Sequence, residues 1–386
     1  MKYQKAKDIL SPELLSQIQQ HFQGGYLYIP RKAGTDHTAP RDTAYKTELE
    51  KRNNHIYEKH LGGWSTPHLA EHYNLSSSSI RRILLRKRKE SDKMNTTIQN
   101  ALSHWALESA PVSHCAENVW EVDGRYMLKV YTDEAALRRN AEIMTLLREN
   151  GIPAAEVIPT NRSNLWAEHN GQFFLLTGRL EGRSYSGPVG TKVARRMGQA
   201  LAQLHQTFSR IEGQLSLWNN SLLMEMGSWI REALEKDGWK HIAKEEFDRV
   251  YTALSRLFPQ LPVHMIHRDV HTGNFLFSGE QFSGYLDFDL TQRNIRIFDL
   301  CYFLAGLLAE ETGAKLSAPW PEIVRATIAG YEALLPLSRE EKKAIPLVME
   351  SIEILFTAYF LSIEDTACAG DAVRVLHGIR QQAPYI

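Results

Sequence analysis

Apolar residues recur along this chain at intervals that change from helical to alternating and back, and the changes divide it into three blocks. The first block, residues 1–93, is helical in pattern. Ser11–Phe22 opens with Ser-Pro-Glu, repeats apolar residues at Leu14, Leu15, Ile18 and Phe22, and is closed by Gly24-Gly25. Tyr26–Pro30 predicts a short extended run, and residues 32–43 a loop carrying Gly34 and Pro40. A helix follows over Tyr45–His60, broken by Gly62-Gly63. A shorter one spans Ser65–Tyr73, starting Ser-Thr-Pro. After the turn Asn74-Leu75-Ser76, a last helix runs through Arg81–Lys89, with Ile80, Ile83 and Leu84 as its packed face. Two short helices joined by a tight turn predict a helix-turn-helix unit. The polar run Glu90–Thr97 reads as a linker.

The second block, residues 98–180, mixes strands and helices. Val119–Val122 and Tyr126–Tyr131 flank Asp123-Gly124, a dipeptide suited to a two-residue hairpin turn. A helix spans Glu134–Glu149 and ends at Asn150-Gly151-Ile-Pro153. Leu165–His169 and Gln172–Leu176 predict a second strand pair about Asn170-Gly171. The third block, residues 181–386, is mostly helical. Its exception is a pair of short strands around Asn274–Phe277 and Gly284–Phe288.

Composition narrows the class. The chain has 386 residues, 43% of them hydrophobic, enough for a sizeable core in more than one domain. Its three cysteines form no CxxC pair, which argues against a disulfide framework or structural zinc and for a reducing compartment. The apolar runs near Leu300–Ala309 and Ile354–Leu361 are far shorter than a membrane span, and the first residues lack a signal-peptide pattern, so a cytoplasmic protein without membrane contact is expected. The net charge is zero but unevenly placed. Residues 1–95 hold 17 Lys and Arg against 10 Asp and Glu, which leaves 28 against 35 for the remainder. A basic first part suits nucleic acid, and an acidic second part suits a cationic small molecule or simply a solvated surface.

The densest chemistry lies in Met265-Ile-His267-Arg-Asp269-Val-His-Thr-Gly-Asn274, followed by Tyr285-Leu-Asp287-Phe-Asp289. Phosphoryl transfer needs a carboxylate near the acceptor hydroxyl, which suits Asp269. It also needs hard oxygen ligands for magnesium, which suits Asn274 and Asp287. His267 reads as a structural residue holding the loop backbone. Asp289 is open between metal binding and capping the next turn. Asp299, at the start of an apolar helix, reads as a buried structural carboxylate.

The order and spacing of these residues resemble the catalytic signature shared by protein kinases and aminoglycoside-phosphotransferase and choline-kinase-like small-molecule kinases. The resemblance implies an α+β, bilobal protein-kinase-like fold, with a small β-rich lobe over 98–180 and a mostly helical lobe over 181–386 that holds the acceptor site. It implies ATP or GTP and Mg2+ as cofactors and a small-molecule hydroxyl as acceptor. Lys129 stands within the apolar run Tyr126–Tyr131, where a lysine is costly unless its charge is used. The resemblance gives it the nucleotide phosphates, with Glu142, thirteen residues on, as its ion-pair partner. It likens Leu175–Leu180 to the interlobe linker, with Gly178 near the adenine. One departure is clear: the stretch 111–118 has no glycine, where protein kinases carry a glycine-rich loop, and Ser113 or backbone amides are left to cover the phosphates. This favours the small-molecule branch over a protein Ser/Thr kinase.

Residues 1–90 resemble the Mor-type transcription activators, through Gly25-Tyr-Leu-Tyr-Ile-Pro-Arg-Lys32, Arg52-Asn-x-x-Ile56 and Leu69-Ala-x-x-Tyr73-x-Leu-Ser76. This implies DNA as a partner of the helix-turn-helix unit and a homodimer formed through the N-terminal domain, by the segment that precedes that unit. Ser77 and Ser78 at the helix start suit phosphate contact, and Arg81, Arg82 and Arg86 suit backbone or base contact. Two functions follow: a small-molecule phosphotransferase fused to a DNA-binding module, or a regulator that uses a kinase-like domain as a sensor.

Overall fold

In the structure, a computed structural model, residues 14–15, 43–185, 187–279, 281–311 and 316–385 are described. Leu14 and Leu15 are helical. The rest of the helix expected over Ser11–Phe22, the extended run at 26–30 and the loop at 32–42 lie outside the described residues. The chain divides into two units, Met1–Lys87 and Arg88–Ile386.

The first unit is built from α1 (Thr43–Leu61), α2 (Thr66–His72) and the start of α3 (Ser77–Leu102). Ser65 caps α2 by accepting from the His68 amide, and Pro67 sits in the first turn, where no amide is needed. Asn74 takes up a left-handed conformation (φ 51°) to turn the chain into α3. There the Ser76 hydroxyl accepts from the Ser79 amide at 3.1 Å. Ile56, Leu69 and Ile80, all fully buried, meet at the centre of the three helices, with Ile83 and Leu84 packed beside them.

The polar run Glu90–Thr97 is not a loose linker: α3 continues through it to Leu102. The segment contains neither glycine nor proline. Met94, Ile98, Ala101 and Leu102 recur at helical spacing, and their apolar stripe packs with Trp105, Trp120 and Leu128 of the second unit. Burial of that stripe fixes a helix that the polar positions alone conceal.

The second unit opens with β1 (Val112–Ala116), β2 (Val119–Val122) and β3 (Tyr126–Tyr131), then α4 (Glu134–Glu149), β4 (Ala167–His169) and β5 (Gln172–Gly178). The five strands form one antiparallel sheet in the order β1-β2-β3-β5-β4. Both expected hairpin turns have two successive residues at positive φ: Asp123 and Gly124 (54° and 67°), and Asn170 and Gly171 (53° and 72°). That geometry follows the right-handed twist of the flanking strands. The glycine-free stretch 111–118 forms a further strand, β1, closed onto β2 by a turn in which Asn118 takes φ 59°.

The helical part follows. It begins with β6 (Arg183–Ser184), α5 (Thr191–Ile211), α6 (Leu222–Glu225), α7 (Arg231–Asp237) and α8 (Lys244–Leu257). Four short strands come next: β7 (Val263–Ile266), β8 (Phe275–Ser278), β9 (Gln281–Tyr285) and β10 (Gln292–Ile295). The chain then runs through α9 (Ile297–Glu311), α10 (Trp320–Glu332), α11 (Arg339–Ser362) and α12 (Thr366–Gln382). The expected strand Gly284–Phe288 leaves its ladder after Tyr285. Leu286 gives its carbonyl to His267, and Asp287 turns the chain at φ 61°. β7 and β10 pair antiparallel, which the polar sequence Gln292-Arg-Asn-Ile295 does not announce. Among the described residues, α11 is long and apolar enough to cross a membrane by composition, but 72% of that stretch is buried inside the fold.

Helices α5 and α10 approach each other through glycines. A Cβ on Gly198 would collide with the Thr327 carbonyl, and one on Gly330 with the Arg195 carbonyl. Neither obstacle is a flexible side-chain end, so the helices would have to separate. Gly330→Ala is therefore expected to cost at least about 2 kcal/mol despite alanine's better helix propensity. Chemical denaturation of the two proteins checks this, and an unchanged or raised stability would show that the helices are not in contact there.

Candidate active site

The loop from His267 to Asn274 joins β7 to β8 and is held from beneath by one carboxylate. Asp299, in the first turn of α9 and fully buried, accepts from the backbone amides of His267 and Arg268, both at 2.7 Å. His205 of α5 lies 3.0 Å from the same carboxylate through Nε2, and its Nδ1 is 2.8 Å from the Tyr331 hydroxyl. Arg268 itself takes φ 72°, a left-handed conformation strained for a residue with a Cβ, and its guanidinium donates to the buried Glu225 of α6 at 2.8 Å. The His267 ring places Nε2 2.9 Å from the Leu286 carbonyl and accepts from the Asp269 amide at 3.3 Å. His267 and Asp299 thus sit as backbone-holding residues, and the buried His205 is part of the same support.

This support aims Asp269 outward. Its Oδ1 accepts from the Tyr302 hydroxyl at 2.9 Å and its Oδ2 from Asn274 Nδ2 at 3.2 Å, with His271 Nε2 at 3.6 Å. Burial pushes the Asp269 carboxyl upward. Hydrogen bonds from His271 and Tyr302, with the nearby His271 and His267 rings, outweigh it and hold the group down to about 2. Asn274 points its amide nitrogen at Asp269, also reaching the Asp269 carbonyl at 2.9 Å. That leaves its carbonyl oxygen, Oδ1, without a hydrogen-bond partner among the described residues.

Lys129 of β3 meets the acidic pair across the cleft. Its ammonium is 2.9 Å from Asp287 Oδ1 and 2.6 Å from Asp289 Oδ2. Burial works to lower the lysine, but Asp289 and then Asp287 overcome this and raise it, so it stays charged. Asp289 also accepts from the Tyr131 hydroxyl at 3.0 Å and from the Asn140 amide.

Three expected nucleotide contacts are differently placed. Glu142 is exposed and forms no ion pair with Lys129. It stands two residues, about 200° of helix, beyond Asn140, the α4 residue that faces the site. Ser113 lies exposed on β1, opposite Glu121. The Gly178 amide is already given to the Glu156 carbonyl at 2.7 Å and is unavailable to a base. Tyr302, Tyr131 and Asn140 were not singled out from sequence. Tyr131 is two residues from Lys129 and so shares its face of the strand, and Tyr302 is one helical turn after Asp299. Both spacings were readable.

The donor set fits a hard divalent cation. Asn274 Oδ1 and Asp287 Oδ2 are oxygens without hydrogen-bond partners among the described residues, and magnesium takes one or two carboxylates with phosphates and water. Among the described residues, no group of three or more His, Cys, Asp or Glu side chains is placed to hold a metal ion.

A phosphotransferase enzyme family model matches residues 109–338, more than half of the chain. The chain belongs to that family. It is a kinase-type phosphotransferase acting on an alcohol group. A model of the Mor transcription activator family matches residues 2–97. The homoserine kinase of Methylobacillus flagellatus is 26% identical over 228 residues, 58% of this chain and 68% of that protein. Amicoumacin kinase hAmiN, solved with AMP-PNP, Ca2+ and Ami, superposes with a TM-score of 0.56 at 17% identity, covering 77% of this chain and 97% of that one. An aminoglycoside 2'-phosphotransferase-IIIa in its GDP complex gives 0.54 at 14% identity, covering 75% and 98%. These structural likenesses show the bilobal protein-kinase-like fold.

In the first unit, Ser78, Arg81, Arg82 and Arg86 are exposed on the first turns of α3, and Ser77 is half-buried. Arg86 is tied to Glu50 of α1 at 2.9 Å, with Lys87 on the same carboxylate. Among the described residues, Arg81 and Arg82 show no such ion pair.

The depressed Asp269 carboxyl contributes stability that is present above its unfolded value near 4 and is lost as pH falls towards about 2. The stability difference between the wild type and Asp269→Asn should therefore stay constant above pH ~5 and shift against the wild type as pH drops below ~4. Urea unfolding across that range measures it. A difference that moves only near neutrality would mean that the carboxyl is not depressed.

Proposed function

We propose that this protein transfers the γ-phosphoryl group of ATP to the hydroxyl of a small molecule at the site formed by Lys129, Asp269, Asn274 and Asp287. The observation that carries the reading is the convergence, from two lobes, of a charged lysine and an acidic pair beside a carboxylate whose loop is held rigidly. Asp269 accepts the hydrogen bond of the acceptor hydroxyl and takes its proton as the new oxygen–phosphorus bond forms and the bond to ADP breaks. A carboxyl held near 2 is a weak base, so its main contribution is orientation. That suffices for a loose phosphoryl-transfer transition state, where positioning and charge stabilisation dominate. Lys129 neutralises the nucleotide phosphates. Asn274 and Asp287 would hold magnesium, which would supply positive charge against the transferring phosphates.

The acceptor fits the amino-alcohol class, supported by the similarity to homoserine kinases. With ATP, Mg2+ and a panel beginning with homoserine, Asp269→Asn should lower turnover at least ~100-fold while leaving nucleotide affinity within about threefold. Full turnover by that variant would remove Asp269 from the reaction.

The first unit adds DNA binding, supported by Ser78, Arg81 and Arg82 exposed on the leading turns of α3. Arg81→Ala should weaken DNA binding and flatten the slope of log K against log salt by about one. A gel-shift titration reads it, and absence of any binding at low salt would contradict the DNA-binding role.

A further inference from the structure

The geometry points to Asp289, held by Tyr131 and Asn140, as the residue that orients Lys129 on the nucleotide, in place of a helix glutamate and apart from the metal. The inference rests on the phosphotransferase reading of this site and goes beyond it by assigning two positioning residues and the role of the second acidic residue.

The two carboxylates facing Lys129 are not equivalent. Both oxygens of Asp289 are taken: Oδ2 by Lys129, and Oδ1 by the Tyr131 hydroxyl and the Asn140 amide. Asp287 spends only Oδ1 on Lys129. Its Oδ2 has no partner among the described residues, and Asn274 Oδ1 is in the same condition. An anion already receiving three donors is a poor ligand for a further cation, because its lone pairs are directed elsewhere. The metal's claim therefore falls on Asp287 and Asn274, and the lysine remains with Asp289.

The holding groups are themselves fixed. Tyr131 and Asn140 are buried, and the Asn140 amide bridges to the Tyr131 hydroxyl at 2.6 Å. Burial, then the adjacent Asp289 carboxylate, pushes the Tyr131 phenol far above its usual range, so it stays protonated and keeps donating. Lys129 and Tyr131 share one face of β3, and Asn140 comes from α4. The network thus joins strand, helix and the 286–290 loop, a connection that the exposed Glu142 cannot make. Neutral donors suit the task. A glutamate at position 140 would set a third negative charge against Asp287 and Asp289, whereas tyrosine and asparagine stabilise Asp289 by hydrogen bonds alone.

The test uses the full chain and a fluorescent ATP analogue, titrated with Mg2+ and again with EDTA. Tyr131→Phe and Asn140→Leu should each weaken nucleotide binding about tenfold, about 1.4 kcal/mol, in both buffers, because the lysine's contact does not need the metal. Glu142→Gln should stay within twofold. Asp287→Asn should lose affinity in Mg2+ only. In a Lys129→Met background, Asn140→Leu should add less than twofold, since its effect runs through that lysine; a general packing defect would add its full cost again. A tenfold loss in Glu142→Gln, or undiminished additivity with Lys129→Met, overturns the inference and leaves the phosphotransferase reading standing. A wild-type protein that binds no nucleotide would defeat both. If Asn140→Leu fails to fold, Tyr131→Phe, which removes one hydroxyl, decides alone.

Discussion

One buried carboxylate carries the geometry of the site. Asp299 accepts two consecutive backbone amides, those of His267 and Arg268, and so fixes the left-handed turn at Arg268 that an L-residue avoids on its own. Buried amides left without acceptors would each be costly, and a buried carboxylate without donors more so. The two problems solve each other. His205 and Tyr331 extend the solution into the helical core, and Glu225 anchors the Arg268 side chain. The strain stored at Arg268 and at Asp287 lies on either side of the cleft floor, where the backbone must turn sharply to present side chains. Everything that faces solvent at the site depends on this hidden layer.

Charge sets the second constraint. A lysine within a strand, two carboxylates across from it and a third carboxylate beneath make a cluster that is stable only if donors are shared out. Tyr302, His271 and Asn274 supply Asp269; Lys129, Tyr131 and Asn140 supply Asp289. Asp287 is left the least satisfied of the three. An uneven distribution of this kind marks where a cation is wanted. The same arithmetic explains why Asp269 sits far below the usual carboxylate range although burial opposes it.

Much of this was legible from sequence, and the misses have physical causes. Hairpins at Asp123-Gly124 and Asn170-Gly171 were readable because only a few residues tolerate two successive positive φ angles. α4 was readable from its apolar spacing and its glycine stop, and the structure adds the Asp133 cap. The run Glu90–Thr97 misled because polarity was taken for a break, although α3 needs only every third or fourth position for packing. β10 was missed because Gln292 and Asn294 are polar yet buried, both donating to the Asn220 carbonyl. In the site, Asn274 meets Asp269, Lys129 meets Asp287, and Asp299 holds the loop amides. Glu142 does not, because counting thirteen residues from Lys129 gives a position but not a face of the helix. The residues that do face the lysine, Tyr131 and Asn140, look like ordinary core polar residues until the fold brings Asp289 to them.

The proposed site gives the metal to Asp287 and Asn274 and leaves the lysine with Asp289. A crystal structure of the full chain with AMP-PNP and Mg2+ tests it directly. The account predicts a magnesium ion ligated by Asn274 Oδ1 and an Asp287 oxygen at ~2.1 Å, with Lys129 bridging Asp289 and the phosphates. A magnesium ion ligated by Asp289, with Lys129 turned to Glu142, would contradict it.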